Sequence, residues 1–105
     1  MESKVIAGIP VRVNEEGFLT DPNEWNKDIA EQIALEENIG PLTEAHWKVI
    51  DFCRKEGLAS GKAPTLLTII AGTGISTKEL FSLFPKGPAK KVARISGLGK
   101  PEGCV

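Results

Sequence analysis

Two cysteines, Cys53 and Cys104, and a single histidine, His46, are the residues of this 105-residue sequence whose types and settings invite chemistry. Cys104 stands one residue from the carboxyl terminus, behind Gly97-Leu98-Gly99-Lys100-Pro101-Glu102-Gly103. The glycines and the proline leave little to hold a helix or strand, so residues 97–105 are expected to form a flexible arm. Extended at ~3.3–3.6 Å per residue, the stretch from Gly97 to Cys104 carries the sulfur on the order of 25 Å from the body, far enough to enter another protein's pocket. The chemistry suited to that placement is carriage of sulfane sulfur: a donor persulfide passes its outer sulfur to the Cys104 thiolate, which later surrenders it to an acceptor, in steps akin to thiol–disulfide exchange. The terminal carboxylate opposes ionisation of that thiol and the neighbouring lysines favour it. Position alone is equally compatible with an incidental cysteine on a tail, because chain ends tolerate many residues.

The other candidates have quieter settings. Cys53 follows Val49, Ile50 and Phe52 on a helical pattern and is expected to be an inert core thiol. A long arm allows a Cys53–Cys104 disulfide, but the cytosol expected for this chain disfavours it as a standing bond. His46 falls in the first turn of a capped helix, the setting of a packing or surface residue. Two thiols and one imidazole are a ligand short of a closed zinc site unless a carboxylate joins, so no metal is expected, and no organic cofactor. There is no nucleophile elbow for Ser-His-Asp catalysis, and Gly72-Thr73-Gly74 lacks the further spacing of a dinucleotide or phosphate loop.

The elements that must position these groups follow from patterning. Alternation from Val5 to Leu19, punctuated by Gly8, Pro10 and Asn14-Glu15-Glu16-Gly17, predicts a β-hairpin or short meander. Asp21-Pro22-Asn23-Glu24 carries the signature of a helix start, and Trp25, Ile29, Ile33 and Leu35 give that helix an apolar side until Gly40-Pro41 stops it. Thr43 caps a second helix with an apolar stripe of Trp47, Val49, Ile50, Phe52 and Cys53, expected to end at Gly57, with a loop over residues 59–63. Pro64 opens a third helix, so apolar over Leu66 to Ala71 that a central position is expected. Ser76-Thr77-Lys78-Glu79 caps a short fourth helix with Leu80, Phe81 and Leu83 or Phe84 turned inward. After Pro85-Lys86-Gly87-Pro88, residues 89–96 make one or two further turns. The whole reads as a mainly helical α+β domain over residues 1–96, with the arm at 97–105.

Composition narrows the function. One domain of this length holds a single modest core, and two lobes around a nucleotide cofactor are disfavoured. No segment approaches the ~20 apolar residues of a membrane span, and the amino terminus leads into an alternating pattern and not into a signal-peptide core, so a cytoplasmic chain with no membrane partner is expected. The formal charge of −1 provides no global basic field, but it is unevenly distributed. Residues 86–105 carry Lys86, Lys90, Lys91, Arg94 and Lys100 against Glu102 alone, a net +4 on a body of net −5. These five cations are the candidate docking group for an acidic protein partner, and would favour the thiolate. Residues 64–84 also match a helix-turn-helix layout presenting Thr77, Lys78 and Ser82, which leaves a DNA-binding regulator as an alternative. One lysine there is poor equipment for phosphate contacts.

The block Leu83-Phe84-Pro85-Lys86-Gly87-Pro88-Ala89, followed by Ile95-Ser96-Gly97-Leu98-Gly99-Lys100-Pro101 and Gly103-Cys104-Val105, resembles the carboxyl-terminal signature of the DsrC/TusE family of sulfur-carrier proteins. Glu16-Gly17-Phe18-Leu19, Trp25 and Leu42-Thr43-Glu44-Ala45-His46-Trp47 are similar to its amino-terminal half, so the resemblance spans nearly the whole chain. It implies a small orthogonal helical bundle with an amino-terminal hairpin, a mobile arm, and Cys104 as the persulfide-carrying thiol. Members that partner dissimilatory sulfite reductase have a second arm cysteine eleven residues before the last, where this chain has Ala93. In its redox equipment the chain therefore resembles the one-cysteine members that relay sulfur, including those serving tRNA thiolation, and no arm disulfide is implied. The donor and acceptor are then a sulfurtransferase and a second protein, with the carrier working alongside enzymes more than as one. A non-catalytic accessory subunit of the sulfite reductase is the remaining alternative.

Overall fold

A computed structural model describes residues 2–99. Strands β1 (Glu2–Ile6) and β2 (Ile9–Val13) pair antiparallel, with Lys4 opposite Val11 and Ile6 opposite Ile9. Ala7 and Gly8 both take positive φ in the two-residue connection, the conformation that matches the twist of a tight hairpin. Alternation then works as expected: Val11 and Val13 are buried and Arg12 is exposed. The Asn14 side chain receives the backbone N–H groups of Glu16 and Phe18, and the loop it folds delivers Phe18 and Leu19 into the core.

Five α-helices follow: α1 (Lys27–Glu36), α2 (Glu44–Ser60), α3 (Leu66–Thr73), α4 (Thr77–Leu83) and α5 (Pro88–Ile95). The first does not begin where its apparent start signal lies. Pro22–Glu24 form a 3-10 turn, and the N-cap of α1 is Asn26, whose side chain accepts from the Ile29 N–H. Arg12 decides between the two signals, because its backbone N–H bonds the Glu24 carboxylate and its guanidinium meets Asp21 at 3.4 Å, tying the turn to the hairpin. Trp25, held outside α1, is free to cross to α5. Ala30 and Ala34, not Leu35, complete the buried side of α1 with Ile29 and Ile33.

Helix α2 runs past Gly57 to Ser60 and stops at Gly61, so Ala59 and Ser60 of the expected 59–63 loop are helical and 61–63 remain a connection. The expectation of a central α3 is overturned: Leu67 is 78% exposed, and of its eight residues Ile69 and Thr73 are buried. An apolar helix is buried only as far as its neighbours reach, and α3 packs one stripe against α2 and α5. Gly72 admits the Phe52 ring there, since a Cβ would stand 2.1 Å from it. The central element is α5, which touches α1, α2, α3 and α4. Its small Ala89 and Ala93 allow close approach, and Pro88, Val92 and Ile95 are buried beside them. On α4, Leu80 and Phe84 lie one turn apart on the inner stripe while Phe81, a third of a turn away, faces outward at 41% exposure.

The architecture is therefore a five-helix α+β bundle with a two-stranded hairpin, its core running from Ile6, Val11 and Phe18 through α1 and α2 to α5. Packing continues beyond residue 96: Gly97 and Leu98 are both buried. Among the described residues no helix is long and apolar enough to cross a membrane.

Candidate functional site

Cys104 and Lys100 lie outside the described residues, and the site is built from the ground on which the terminal segment stands. Helix α5 closes in a Schellman turn: Gly97 takes φ +73°, and the Leu98 N–H bonds the Ala93 carbonyl at 2.9 Å. Two distant side chains reach the same helix end. Trp25 Nε1 donates to the Ile95 carbonyl at 2.7 Å, and an Arg54 guanidinium nitrogen donates to the Ser96 carbonyl at 2.7 Å. The guanidinium also lies 4.0 Å from the centre of the Trp25 ring, which locks the pair together. Gly97 abuts that ring so closely that a Cβ would stand 2.6 Å from it. Leu98 seats on Gly57, where a Cβ would stand 2.7 Å from its methyl carbons. Gly99 then borders a groove of about 450 Å³ lined by Asn14, Thr20, Leu58, Lys62 and Ala63 among others.

The expected basic group divides in two. Lys91 Nζ sits 3.1 Å from a Glu37 carboxylate oxygen, Arg94 pairs with the other oxygen of Glu37, and a second Arg94 nitrogen reaches Glu36 at 3.3 Å. Arg94 also donates to the Gly17 carbonyl. These two cations are thus committed to fastening α5 to α1 and to the Asn14–Thr20 loop. Lys86, at positive φ, and Lys90 are exposed and have no ion-pair partner among the described residues. They border a depression of about 240 Å³ that Glu16, Phe18, Glu37, Lys91 and Arg94 also line. This depression and the groove at Gly99 share the Asn14–Thr20 loop, so the two free lysines and the arm root flank one structural feature.

Burial alone would raise the Glu37 carboxyl pKa, but the hydrogen bonds and charges of Lys91 and Arg94 outweigh it and hold the pKa below the ordinary value of 4.5. A carboxyl depressed in the folded state contributes stability above its unfolded pKa and loses it as pH falls through the folded one. Acid unfolding between about pH 4.5 and the depressed value should therefore be shallower in Glu37→Gln than in the wild type, with the variant about 1–2 kcal/mol less stable at neutral pH; chemical denaturation across that range measures both.

His46 is a brace. Its Nδ1 accepts the Thr43 N–H at 3.1 Å and its Nε2 meets the Leu83 carbonyl at 3.0 Å, which requires the proton on Nε2. The ring thereby completes the capping box of α2 and ties it to the end of α4, stacked edge-on against Phe84 at 5.1 Å. Both nitrogens are occupied, and among the described residues no group of His, Cys, Asp and Glu gathers as a metal site. Cys53 is 1% exposed, and burial first and Glu56 second push its thiol up to about 12. It is the core thiol its setting suggested. Thr77, Lys78 and Ser82 are exposed on α4, a seven-residue helix. Trp25 and Arg54 are the residues sequence reasoning missed; nothing local in the sequence marks a side chain that bonds a helix end 42 or 70 positions away.

The fold and its clasped last helix define a small, mainly helical bundle led by a hairpin. The model of the DsrC-like protein family matches residues 5–105. The chain is 36% identical over 98 residues to the gamma subunit of dissimilatory-type sulfite reductase from Nitratidesulfovibrio vulgaris, covering 93% of each chain. It is 38% identical over 99 residues to the sulfurtransferase TusE of Buchnera aphidicola, covering 88% of this chain and 86% of that one. The solution structure of Allochromatium vinosum DsrC superposes with a TM-score of 0.85 at 36% identity, covering 99% of this chain and 98% of the other. The chain belongs to the DsrC-like family.

Proposed function

We propose that the protein is a cytosolic sulfur carrier that accepts sulfane sulfur as a persulfide on Cys104 and relays it to an acceptor protein. The observation that carries this reading is that the family match runs to residue 105 and so takes in Cys104. In loading, the Cys104 thiolate attacks the outer sulfur of a donor persulfide. One S–S bond forms as another breaks, the donor leaves as thiolate, and no net oxidation occurs. Unloading is the same exchange towards the acceptor. The donor in this reading is a sulfurtransferase. The acceptor belongs to a tRNA-thiolation relay, as the resemblance to the one-cysteine members implies, or to the sulfite-reductase system, which is named for a relative. Because Ala93 fills the place of a second arm thiol, the persulfide has no internal cysteine beside it to resolve it, which favours relay over a disulfide cycle.

The tether is read as residues 99–105, two residues shorter than patterning suggested, since Leu98 is packed. The six residues from Gly99 to Cys104 still span about 20 Å when extended. The test is mass spectrometry after incubation with a persulfide donor. A gain of about 32 Da on Cys104, absent from Cys53, is expected, and labelling of Cys53 to the same extent would overturn the assignment.

Lys86, Lys90, Lys91, Arg94 and Lys100 form the docking group of this reading, with Lys86 and Lys90 making the direct contacts because Lys91 and Arg94 are already held by Glu36 and Glu37. Charge reversal at Lys86 and Lys90 together should slow sulfur transfer from a protein donor about tenfold at low salt and abolish most of its salt dependence. Stopped-flow transfer across an ionic-strength series measures this; unchanged slopes would remove the two lysines from the interface.

A further inference from the structure

We propose that Trp25, Arg54 and Gly57 are positioning residues: they moor Ser96, Gly97 and Leu98 to the body, and so dictate where and in which direction the segment bearing Cys104 departs. The purpose of the mooring rests on the sulfur-carrier reading above, while its geometry stands independently.

Helix carboxyl ends ordinarily leave their last carbonyls to water or to a local turn. Here the local turn is already made by Gly97 and Leu98, yet two side chains from elsewhere take the Ile95 and Ser96 carbonyls as well. Ser96 is 0% exposed, an unusual condition for a residue three positions from the start of a glycine-rich tail. Each lock also has a local cost. Trp25 is kept outside α1, and Arg54 has its charge partly desolvated, which lowers its pKa. Gly57 occupies the interior of a 17-residue helix, where alanine is favoured by about 1 kcal/mol. With alanine there, the Leu98 methyl groups lose their seat.

Three locks from two elements converge on the last residues before the tail. Held at Leu98, the chain reaches at Gly99 the edge of the groove lined by Asn14, Thr20, Leu58 and Lys62. Released at Ser96, it would begin two residues earlier with no fixed heading. A directed tether concentrates its thiol over one face of the body, the face a partner must then cover, whereas an unmoored one spreads it over the surface. Arg54 and Trp25 act on the sulfur chemistry through the backbone they hold.

The test attaches a nitroxide by a disulfide to Cys104 of the full-length chain and maps paramagnetic broadening of the body amides; Cys53, buried and un-ionised, stays unlabelled. Broadening is expected to be strongest over residues 14–20 and 58–63. In Gly57→Ala, whose helix gains propensity, and in Arg54→Gln, at least half of that contrast should be lost while unbroadened amide spectra and thermal midpoints show an intact fold. Arg54→Lys, which keeps a cation over Trp25, should recover more of it than Arg54→Gln. An even wild-type pattern, or an unchanged pattern in folded Gly57→Ala, would overturn the mooring, and that variant decides alone if Arg54→Gln does not fold. Loading by glutathione persulfide should be equal in all variants. Failure of every variant and the wild type to load would break the sulfur-carrier reading and leave the broadening result intact.

Discussion

Cys104→Ser is expected to abolish sulfur loading, reducing the rate at least about 100-fold, while thermal unfolding stays unchanged. The two halves of that expectation have separate causes. Loading requires a sulfur nucleophile, and the other cysteine cannot replace it. With its thiol pushed up to about 12, Cys53 is ionised in only about one molecule in 10⁵ at pH 7, and Phe52, Val49 and Ile50 surround its place in the sequence of α2. Stability should not move, because among the described residues the last side chains packed into the core are Ile95 and Leu98, both upstream of the substitution. Mass spectrometry after exposure to a persulfide and a thermal melt on the same preparation check both. Residual loading above a tenth of the wild-type rate would show that sulfur enters elsewhere.

Phe84→Ala is expected to have the largest effect on the fold, about 3–5 kcal/mol, a large part of the 5–15 kcal/mol that holds a typical domain together. Phe84 is 0% exposed at the end of α4, and its ring meets the edge of His46 at 5.1 Å with an interplanar angle of 86°. Truncation would open a cavity beside an imidazole that also carries the link from Thr43 to the Leu83 carbonyl. The start of α2 and the end of α4 would lose their common support. Urea denaturation should show a lower midpoint and, because the transition remains cooperative, a similar slope. A loss below about 1 kcal/mol would mean that the surrounding side chains collapse into the space.

The reach of the sequence differed from one part of the molecule to the next. Signals that act within a turn or two of chain were legible: the caps Thr43 and Ser76, the helical turns that follow the Pro85–Pro88 segment, the alternation of β2, and the burial of Cys53. Asp21-Pro22-Asn23-Glu24 misled because its acidic groups are spent on Arg12 across the hairpin, a contact no local pattern contains. The apolar run of α3 misled because hydrophobicity states a need for burial without stating how many neighbours will supply it. The five cations of residues 86–105 were visible as a count, but Glu36 and Glu37 divided Lys91 and Arg94 from Lys86 and Lys90 only when α1 was laid beside α5.

The sequence by itself determined the helical class and the family signature and singled out Cys104 as the proposed carrier thiol, since these reside in residue types and short spacings. Tertiary structure alone decided which helix is central and how the chain is held before its tail begins. Those follow from contacts such as Trp25 with Ile95 and Arg54 with Ser96, whose partners are far apart along the chain and meet only when the core forms.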